Sequence, residues 1–192
     1  MRCTLRLFHA LALGLLFVVS GAREAGAITY LVDRTLGSAG RVIGTITTDD
    51  TIGVLAASNI VDWDLYTEDG VFALSQRGPI NAAGLGIDPS LWGIFVRGSA
   101  FSATSTDLSF NFDSELNDLV LFQTTPLGSG KEYYCLAANT TACITASTES
   151  LQIPDYTPAS HQSEARSGVI SIGTVATPPV INEVFKDSFE NP

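Results

Sequence analysis

Two aspartates and a tyrosine, Asp62, Asp64 and Tyr66, alternate along one short segment, and their types and spacing could support chemistry. Because strand side chains repeat every two residues, the three would share one face, with roughly 6.6–7 Å between successive Cα atoms. Carboxyl pairs separated by about 5–9 Å carry out glycoside hydrolysis. The same residues could instead border a sugar-binding platform, or form the solvated outer face of a half-buried strand, which alternation alone predicts.

A second acidic group, Asp113, Glu115 and Asp118, is crowded into a single turn. Oxygen-rich loops of this kind bind Ca²⁺, which is a hard cation. The spacing does not match the twelve-residue EF-hand loop, which has a central glycine and a late glutamate. Aspartate also favours turns because it hydrogen-bonds its own backbone there. The segment is therefore a candidate calcium site or, on the other interpretation, only a turn.

The first 27 residues are typical of a secretory signal peptide. Arg2 and Arg6 precede an apolar stretch over residues 11–19, and Ala-Gly-Ala at residues 25–27 fits the small-residue cleavage pattern. The apolar stretch has about ten residues, whereas a membrane-spanning helix needs about 20. We therefore expect cleavage and a secreted chain (extracellular, periplasmic or on the cell surface) without a transmembrane segment in its mature part.

Cys135 and Cys143 are the two cysteines that remain after such cleavage. In an oxidising compartment they form one natural disulfide pair, which would close a short loop; a reactive thiol or a metal ligand is the alternative. The mature chain keeps one histidine, His161, which lies in a polar segment and is expected in an exposed loop. With so few histidines and cysteines and no Gly-x-Ser-x-Gly motif, zinc chemistry and serine hydrolysis are disfavoured.

Length and charge narrow the range of functions. The chain has 192 residues, which fits one domain, and its net charge is −10. Three of the ten basic residues and one of the twenty acidic residues lie in the leader, so the mature chain carries −12. Nucleic-acid binding needs a basic stripe to replace the counterions of phosphates, and this composition excludes it.

Apolar residues alternate in short runs along the chain, and no helical period is sustained over more than two turns. We therefore expect short β-strands to position the candidate residues. Glu-Asp-Gly at residues 68–70 predicts a hairpin turn after the segment that carries Asp62, Asp64 and Tyr66. The pattern predicts an all-β fold, an antiparallel β-sandwich or jelly roll of about eight or nine strands. The predicted strands cover residues 28–32, 41–48, 61–66, 71–75, 91–96, 108–112, 119–123, 132–136 and 168–173.

The domain boundaries follow from the segments that lack this alternation. Residues 152–166 are polar, contain two prolines and are predicted to form a surface loop. We expect the β-sandwich domain to cover residues 28–175. Residues 176–192 form a C-terminal tail that opens with the stiff sequence Thr-Pro-Pro at residues 177–179.

Several stretches together resemble a family of secreted bacterial proteins, many of them uncharacterised or carrying a PEP-CTERM sorting tail. The similarity covers most of residues 28–174 and implies a compartment and a β-rich fold, with no activity to carry over. The stretches are Gly-Thr-Ile-Thr-Thr-Asp at residues 44–49, Ile-Val-Asp-Trp-Asp-Leu at 60–65, Asp-Leu-Ser-Phe-Asn-Phe at 107–112 and Gly-Ser-Gly-Lys-Glu-Tyr-Tyr-Cys at 128–135.

The C-terminal tail departs from that family. A PEP-CTERM tail has Val-Pro-Glu-Pro, a membrane helix and a basic cluster, whereas the tail of this chain has Thr-Pro-Pro-Val at residues 177–180 and a single basic residue, Lys186. Phe-Lys-Asp-Ser-Phe-Glu at residues 185–190 looks like a short tail of some secreted Gram-negative proteins. A role in export or sorting is one interpretation of this segment, and a frayed terminus is the other.

The sequence thus predicts a secreted, non-catalytic structural or binding module that acts outside the cell or on its surface. Its partner would be an unknown extracellular molecule or a polysaccharide, bound by the face of Asp62, Asp64 and Tyr66 or by the acidic turns. A small carbohydrate-active hydrolase that uses Asp62 and Asp64 is the first alternative. A calcium-dependent adhesion domain is the second, with Ca²⁺ as the one cofactor that the acidic turns could hold.

Overall fold

The computed structural model describes residues 26–71, 73–78, 93–123, 133–141, 143, 147–153 and 160–175. Thirteen strands and one 3-10 turn, Ala57–Asn59, occur in this part of the chain. The strands are β1 Ile28–Leu36, β2 Gly40–Thr48, β3 Gly53–Val54, β4 Ile60–Glu68, β5 Ala73–Arg77, β6 Gly93–Arg97, β7 Phe101–Ala103, β8 Asp107–Asn111, β9 Asp118–Gln123, β10 Tyr133–Ala138, β11 Thr148–Ile153, β12 Ser160–Ala165 and β13 Val169–Val175.

The strands form two sheets, which confirms the predicted all-β sandwich. The larger sheet has eight strands in the order β3-β7-β8-β13-β1-β2-β4-β5, and the smaller has five in the order β12-β11-β10-β9-β6. Each pairing between described strands is antiparallel. The predicted signal peptide and the C-terminal tail lie outside the described residues apart from residues 26 and 27.

The core lies between the two sheets and is rich in aromatic side chains. Trp63 on β4 meets Phe122 on β9 edge to face, with ring centroids 5.8 Å apart, and both side chains are buried. Phe122 in turn stacks on Tyr134 of β10 at 6.1 Å. Such pairs add about 0.5–1.5 kcal/mol to the burial of their area, so this contact between sheets fixes how the sandwich closes.

The alternation of β4 is confirmed except at its first residues. The face opposite Asp62, Asp64 and Tyr66 is predicted to carry Val61, Trp63 and Leu65. Trp63 and Leu65 are buried, but Ile60 takes the core position and Val61 is only partly buried. The register between β2 and β4 shifts between Thr47 and Thr48, which inserts one extra residue on β4. A bulge of this kind reverses the side-chain phase on one side of it, so Val61 leaves the core face.

All nine predicted strands are present where the structure describes them, and four further strands, β3, β7, β11 and β12, were not predicted. β3 and β7 are too short to show a period. The predicted surface loop over residues 152–166 is wrong, because β11 ends at Ile153 and β12 spans Ser160–Ala165. β12 is an edge strand, and edge strands are commonly polar, which hides them from a search for apolar alternation.

Candidate binding face

β4 brings Asp62, Asp64 and Tyr66 to the outer side of the larger sheet, as predicted. Its neighbouring residues Trp63 and Leu65 are buried, which fixes the other three outward. Tyr66 is 42% exposed, as is Phe95 on β6 at 41%, whereas the core rings are buried. We call the outward surface of β2, β4 and β5 around these three residues the binding face.

An ion pair and a shallow depression lie on the binding face. Asp64 stands opposite Arg77 on β5, and the Arg77 Nε atom is 3.4 Å from Asp64 Oδ1. The depression has a volume of about 410 Å³ and is open to solvent. Its lining combines one carboxylate, two hydroxyl groups, one aromatic ring and an apolar edge, contributed by Ile43, Gly44, Thr45, Asp64 and Tyr66.

A second depression of about 400 Å³ lies between β1 and β13 on the same sheet. Leu31, Asp33 and Arg34 line it from β1, and residues 171–174 line it from β13. Asp33 accepts two hydrogen bonds from Arg41, at 3.1 Å from Nε and 3.2 Å from Nη2. This contact with the guanidinium lowers the pKa of Asp33 below its ordinary value.

The structure does not assemble the three carboxylates of the predicted calcium turn into a ligand set. Asp118 is buried, and its Oδ2 accepts hydrogen bonds from the Ser114 hydroxyl at 2.8 Å and the Ser99 backbone N–H at 3.2 Å. Asp113 and Glu115 are exposed. In the described part of the chain, no group of three or more His, Cys, Asp or Glu side chains could hold a metal ion. Asp118 therefore closes the turn.

A buried group of charged side chains lies between the sheets and was not predicted from the sequence. We call this group the charge clamp; it consists of Arg34, Glu149 and Arg166. Glu149 on β11 has no exposed side-chain surface. It accepts two hydrogen bonds from Arg34 of β1, at 2.9 and 2.7 Å, and one from Arg166 Nε at 2.8 Å. Because β1 and β11 belong to different sheets, these bonds tie the two layers together.

Tyr134 completes the clamp from the core side. Its hydroxyl donates to Glu149 Oε1 at 2.7 Å, and burial followed by the nearby Glu149 charge raises the pKa of Tyr134 well above its ordinary value. The signal in the sequence was the alternation of Glu149 with Leu151 and Ile153, which places the carboxylate on an inward face. A buried carboxylate at such a position needs a cationic partner, so a buried ion pair at Glu149 could have been predicted.

Cys135 and Cys143 are bonded, as the pairing hypothesis expected. The bond holds Cys143 over the outer side of the smaller sheet, where a small apolar cluster forms with Leu119, Cys135 and Ala137. The Tyr133 hydroxyl donates to the Cys143 carbonyl at 2.9 Å, and burial raises the pKa of Tyr133 to about 12. A bonded pair is compatible with a protein outside the cytoplasm.

The position of His161 corrects a further expectation. The residue lies on β12, opposite Gln152 of β11, and is partly buried, whereas an exposed loop was predicted. Burial lowers the pKa of His161 below its ordinary value. The strand pairing that removes the ring from bulk water could not be inferred from the polar segment around it.

Comparisons with known proteins give no identity for this fold. No family model matches the chain, and no significant match occurs among curated proteins or among solved structures. Within the described residues, no helix has the length and apolar character needed to span a bilayer.

Proposed function

We propose that this chain is a secreted, non-catalytic module that binds an extracellular ligand through the binding face. One observation carries the proposal: the half-exposed ring of Tyr66 stands beside the Asp64–Arg77 pair over an open depression. Aromatic rings with a polar tip are typical of binding surfaces, because they bury apolar area and still meet water. An open, shallow surface suits binding better than catalysis, which benefits from excluding water.

The chemistry of the binding face favours a polysaccharide as the ligand. The charges of Asp64 and Arg77 compensate each other, so the depression does not call for a strongly charged partner. Thr45 offers a hydroxyl, and Ile43 and Tyr66 offer apolar edges. Sugars present the same mixture, with hydroxyl groups around the ring edge and C–H groups on its faces.

Secretion is supported by the predicted leader, by the bonded cysteines and by the resemblance to secreted bacterial proteins. We expect the exported protein to begin at Ile28, after Ala-Gly-Ala. Intact-mass and N-terminal peptide analysis of protein from the culture medium and the periplasm tests this expectation. A chain that stays in the cytoplasm with its leader attached would contradict it.

The two alternatives have less support. Asp62 and Asp64 share a face, but Asp64 is engaged by Arg77 on an open surface, so the paired-carboxylate hydrolase stays an unsupported prediction. Release of soluble sugars, lost in Asp62→Asn, would establish it. The calcium-dependent adhesion hypothesis lacks a ligand set in the described residues. A rise in melting temperature with Ca²⁺ that EDTA reverses would revive it.

Retention on insoluble polysaccharides tests the proposal. The panel is cellulose, chitin, β-1,3-glucan and peptidoglycan, and we expect retention on one polymer that Tyr66→Ala abolishes and Asp64→Asn weakens. Leu116→Ala is the matched control, since Leu116 is 59% exposed in a turn away from the binding face. Retention on none of the polymers, or retention that Tyr66→Ala leaves intact, would overturn the proposal.

A further inference from the structure

The two depressions of the larger sheet are built from the same short sequence. Ile-Gly-Thr occurs at residues 43–45 on β2 and again at residues 172–174 on β13. Each copy lines one depression, and the volumes are close, at about 410 and 400 Å³. Each depression also contains one aspartate from a neighbouring strand: Asp64 in the first and Asp33 in the second.

The two glycines let neighbouring strands approach in the same way. A Cβ atom on Gly44 would clash with the backbone carbonyl of Asp64 on β4, and one on Gly173 would lie 3.0 Å from the carbonyl oxygen of Leu31 on β1. Gly44 also has φ +147°, a conformation that suits glycine. Glycine is therefore required at position 44, whereas at position 173 a Cβ atom would be tight and the Leu31 carbonyl would have to move by a few tenths of an ångström.

The isoleucines of the two copies differ. Ile43 faces outward and is partly exposed, whereas Ile172 belongs to the core and is 1% exposed. The register of β13 shifts between Ser171 and Gly173, and this bulge changes the side-chain phase. The shared elements are therefore the glycine, the outward threonine and the neighbouring carboxylate.

The two threonines lie on one line that crosses the strands. Thr174 pairs with Leu31 of β1, and Leu31 pairs with Thr45 of β2. The same line continues from Thr45 to Asp64 and from Asp64 to Arg77. Neighbouring strands are 4.7–4.9 Å apart, so the two threonine positions are separated by about 10 Å. That span is close to the length of two sugar residues in an extended chain.

Both carboxylates carry their own guanidinium. Asp33 is bonded by Arg41 and Asp64 is paired with Arg77, so the aspartate that lines each depression is compensated by an arginine that does not itself line it. This charge pattern is complementary to a neutral ligand rich in hydroxyl groups. Two similar sites at a fixed spacing further require a ligand whose own groups repeat.

We propose that the two depressions are subsites for a single linear polysaccharide that runs across the strands of the larger sheet. One sugar residue would sit against Thr45 and Asp64, another against Thr174 and Asp33, and the connecting part of the chain would pass over Leu31. This inference rests on the proposed function and adds the class of ligand, its direction and a minimum length.

A length series tests the inference. Oligosaccharides of one to six residues from the retained polymer are titrated against the wild type by calorimetry. We expect the affinity to rise until the oligosaccharide spans both depressions and then to level off. Thr45→Val and Thr174→Val should each weaken the longest oligosaccharide about three- to tenfold, the loss of one hydrogen bond. Thr35→Val is the control, because Thr35 is exposed on β1 outside both depressions.

The dependence of affinity on oligosaccharide length separates this inference from the proposed function. If the inference holds, Thr174→Val flattens the length dependence, whereas Thr35→Val keeps the wild-type rise with length. Affinity that is independent of length, with Thr174→Val equal to Thr35→Val, would overturn the second subsite while the binding face stood. Loss of all binding in the wild type would overturn both proposals.

Discussion

The molecule uses carboxylate–guanidinium contacts in two regions, with different consequences. In the charge clamp, Glu149 has no exposed surface and meets Arg34 and Arg166, each 18% exposed. On the binding face, Asp64 is 42% exposed and meets Arg77, 34% exposed, at a longer distance of 3.4 Å. The chemical groups are the same, and solvent is the main difference between them.

The difference in burial separates the ion pairs that stabilise the fold from those that remain available to a ligand. A buried carboxylate has given up water, so its partners must replace every hydrogen bond that it lost. An exposed pair gains little because water competes for both groups, and it can exchange partners at low cost. We therefore assign the charge clamp to stability and the Asp64–Arg77 pair to binding.

The largest expected effect comes from breaking the clamp. Glu149→Gln would leave Arg34 without its compensating charge and Arg166 with the exposed Glu164 alone, and we expect the free energy of unfolding to fall by about 3–5 kcal/mol. Urea unfolding measures it. Glu164→Gln is the matched control, because Glu164 bonds the same Arg166 at 2.7 Å but is 41% exposed, so its loss should cost less than about 1 kcal/mol. Equal losses in both variants would break the contrast.

Tyr134→Phe tests the clamp without changing its charge. The variant removes the hydroxyl that donates to Glu149 and keeps the ring that stacks on Phe122. Hydrogen bonds to charged groups are worth about 1.5–3 kcal/mol, so we expect a loss in that range by the same unfolding measurement. Tyr66→Phe, which removes an exposed hydroxyl, should change stability by less than about 0.5 kcal/mol. A neutral Tyr134→Phe would show that the clamp does not need this donor.

Asp64→Asn tests the other side of the comparison. Because the pair with Arg77 is exposed, we expect the unfolding free energy to change by less than about 1 kcal/mol. Retention on the polysaccharide should weaken in the same variant. A large loss of stability with unchanged retention would place Asp64 among the structural contacts and contradict the division drawn above.

The smallest expected effect is the contribution of His161 to the pH dependence of stability. His161 lies on β12, which pairs with β11, the strand that carries Glu149. Its pKa is lowered in the folded chain from the ordinary 6.5, so the unfolded chain binds the proton more readily. The stability of the wild type should therefore be complete above about pH 6.5 and decline as the pH falls below it. Solvent around the partly buried ring keeps the loss below about 1 kcal/mol. Unfolding at pH 8 and pH 5.5 should show a shallower decline in His161→Gln, and identical slopes would contradict this account.

The sequence predicted the strands whose alternation is strong and missed those whose neighbours decide their burial. β4 could be predicted because Trp63 and Leu65 mark its inward side without any knowledge of the fold. β11 was missed, because its Thr-Glu-Ser start is polar and yet buried and only the alternation of Glu149 with Leu151 and Ile153 marks its inward side. Those residues are buried by pairing with β10 and β12 and by the charge clamp, all of which come from distant parts of the chain.

The sequence by itself determined the all-β class, the candidate cysteine pair and the shared face of Asp62, Asp64 and Tyr66. These features depend on the two-residue period of a strand and on composition, which are local properties. The structure was needed to show that Arg34 and Arg166 meet Glu149, that Asp118 closes a turn, and that two Ile-Gly-Thr segments flank β1. Strand order and register bring Arg34 to Glu149, 115 positions along the chain, and Arg166 to the Thr35 carbonyl, 131 positions away, whereas Asp118 is held by Ser114 and Ser99, 4 and 19 positions away.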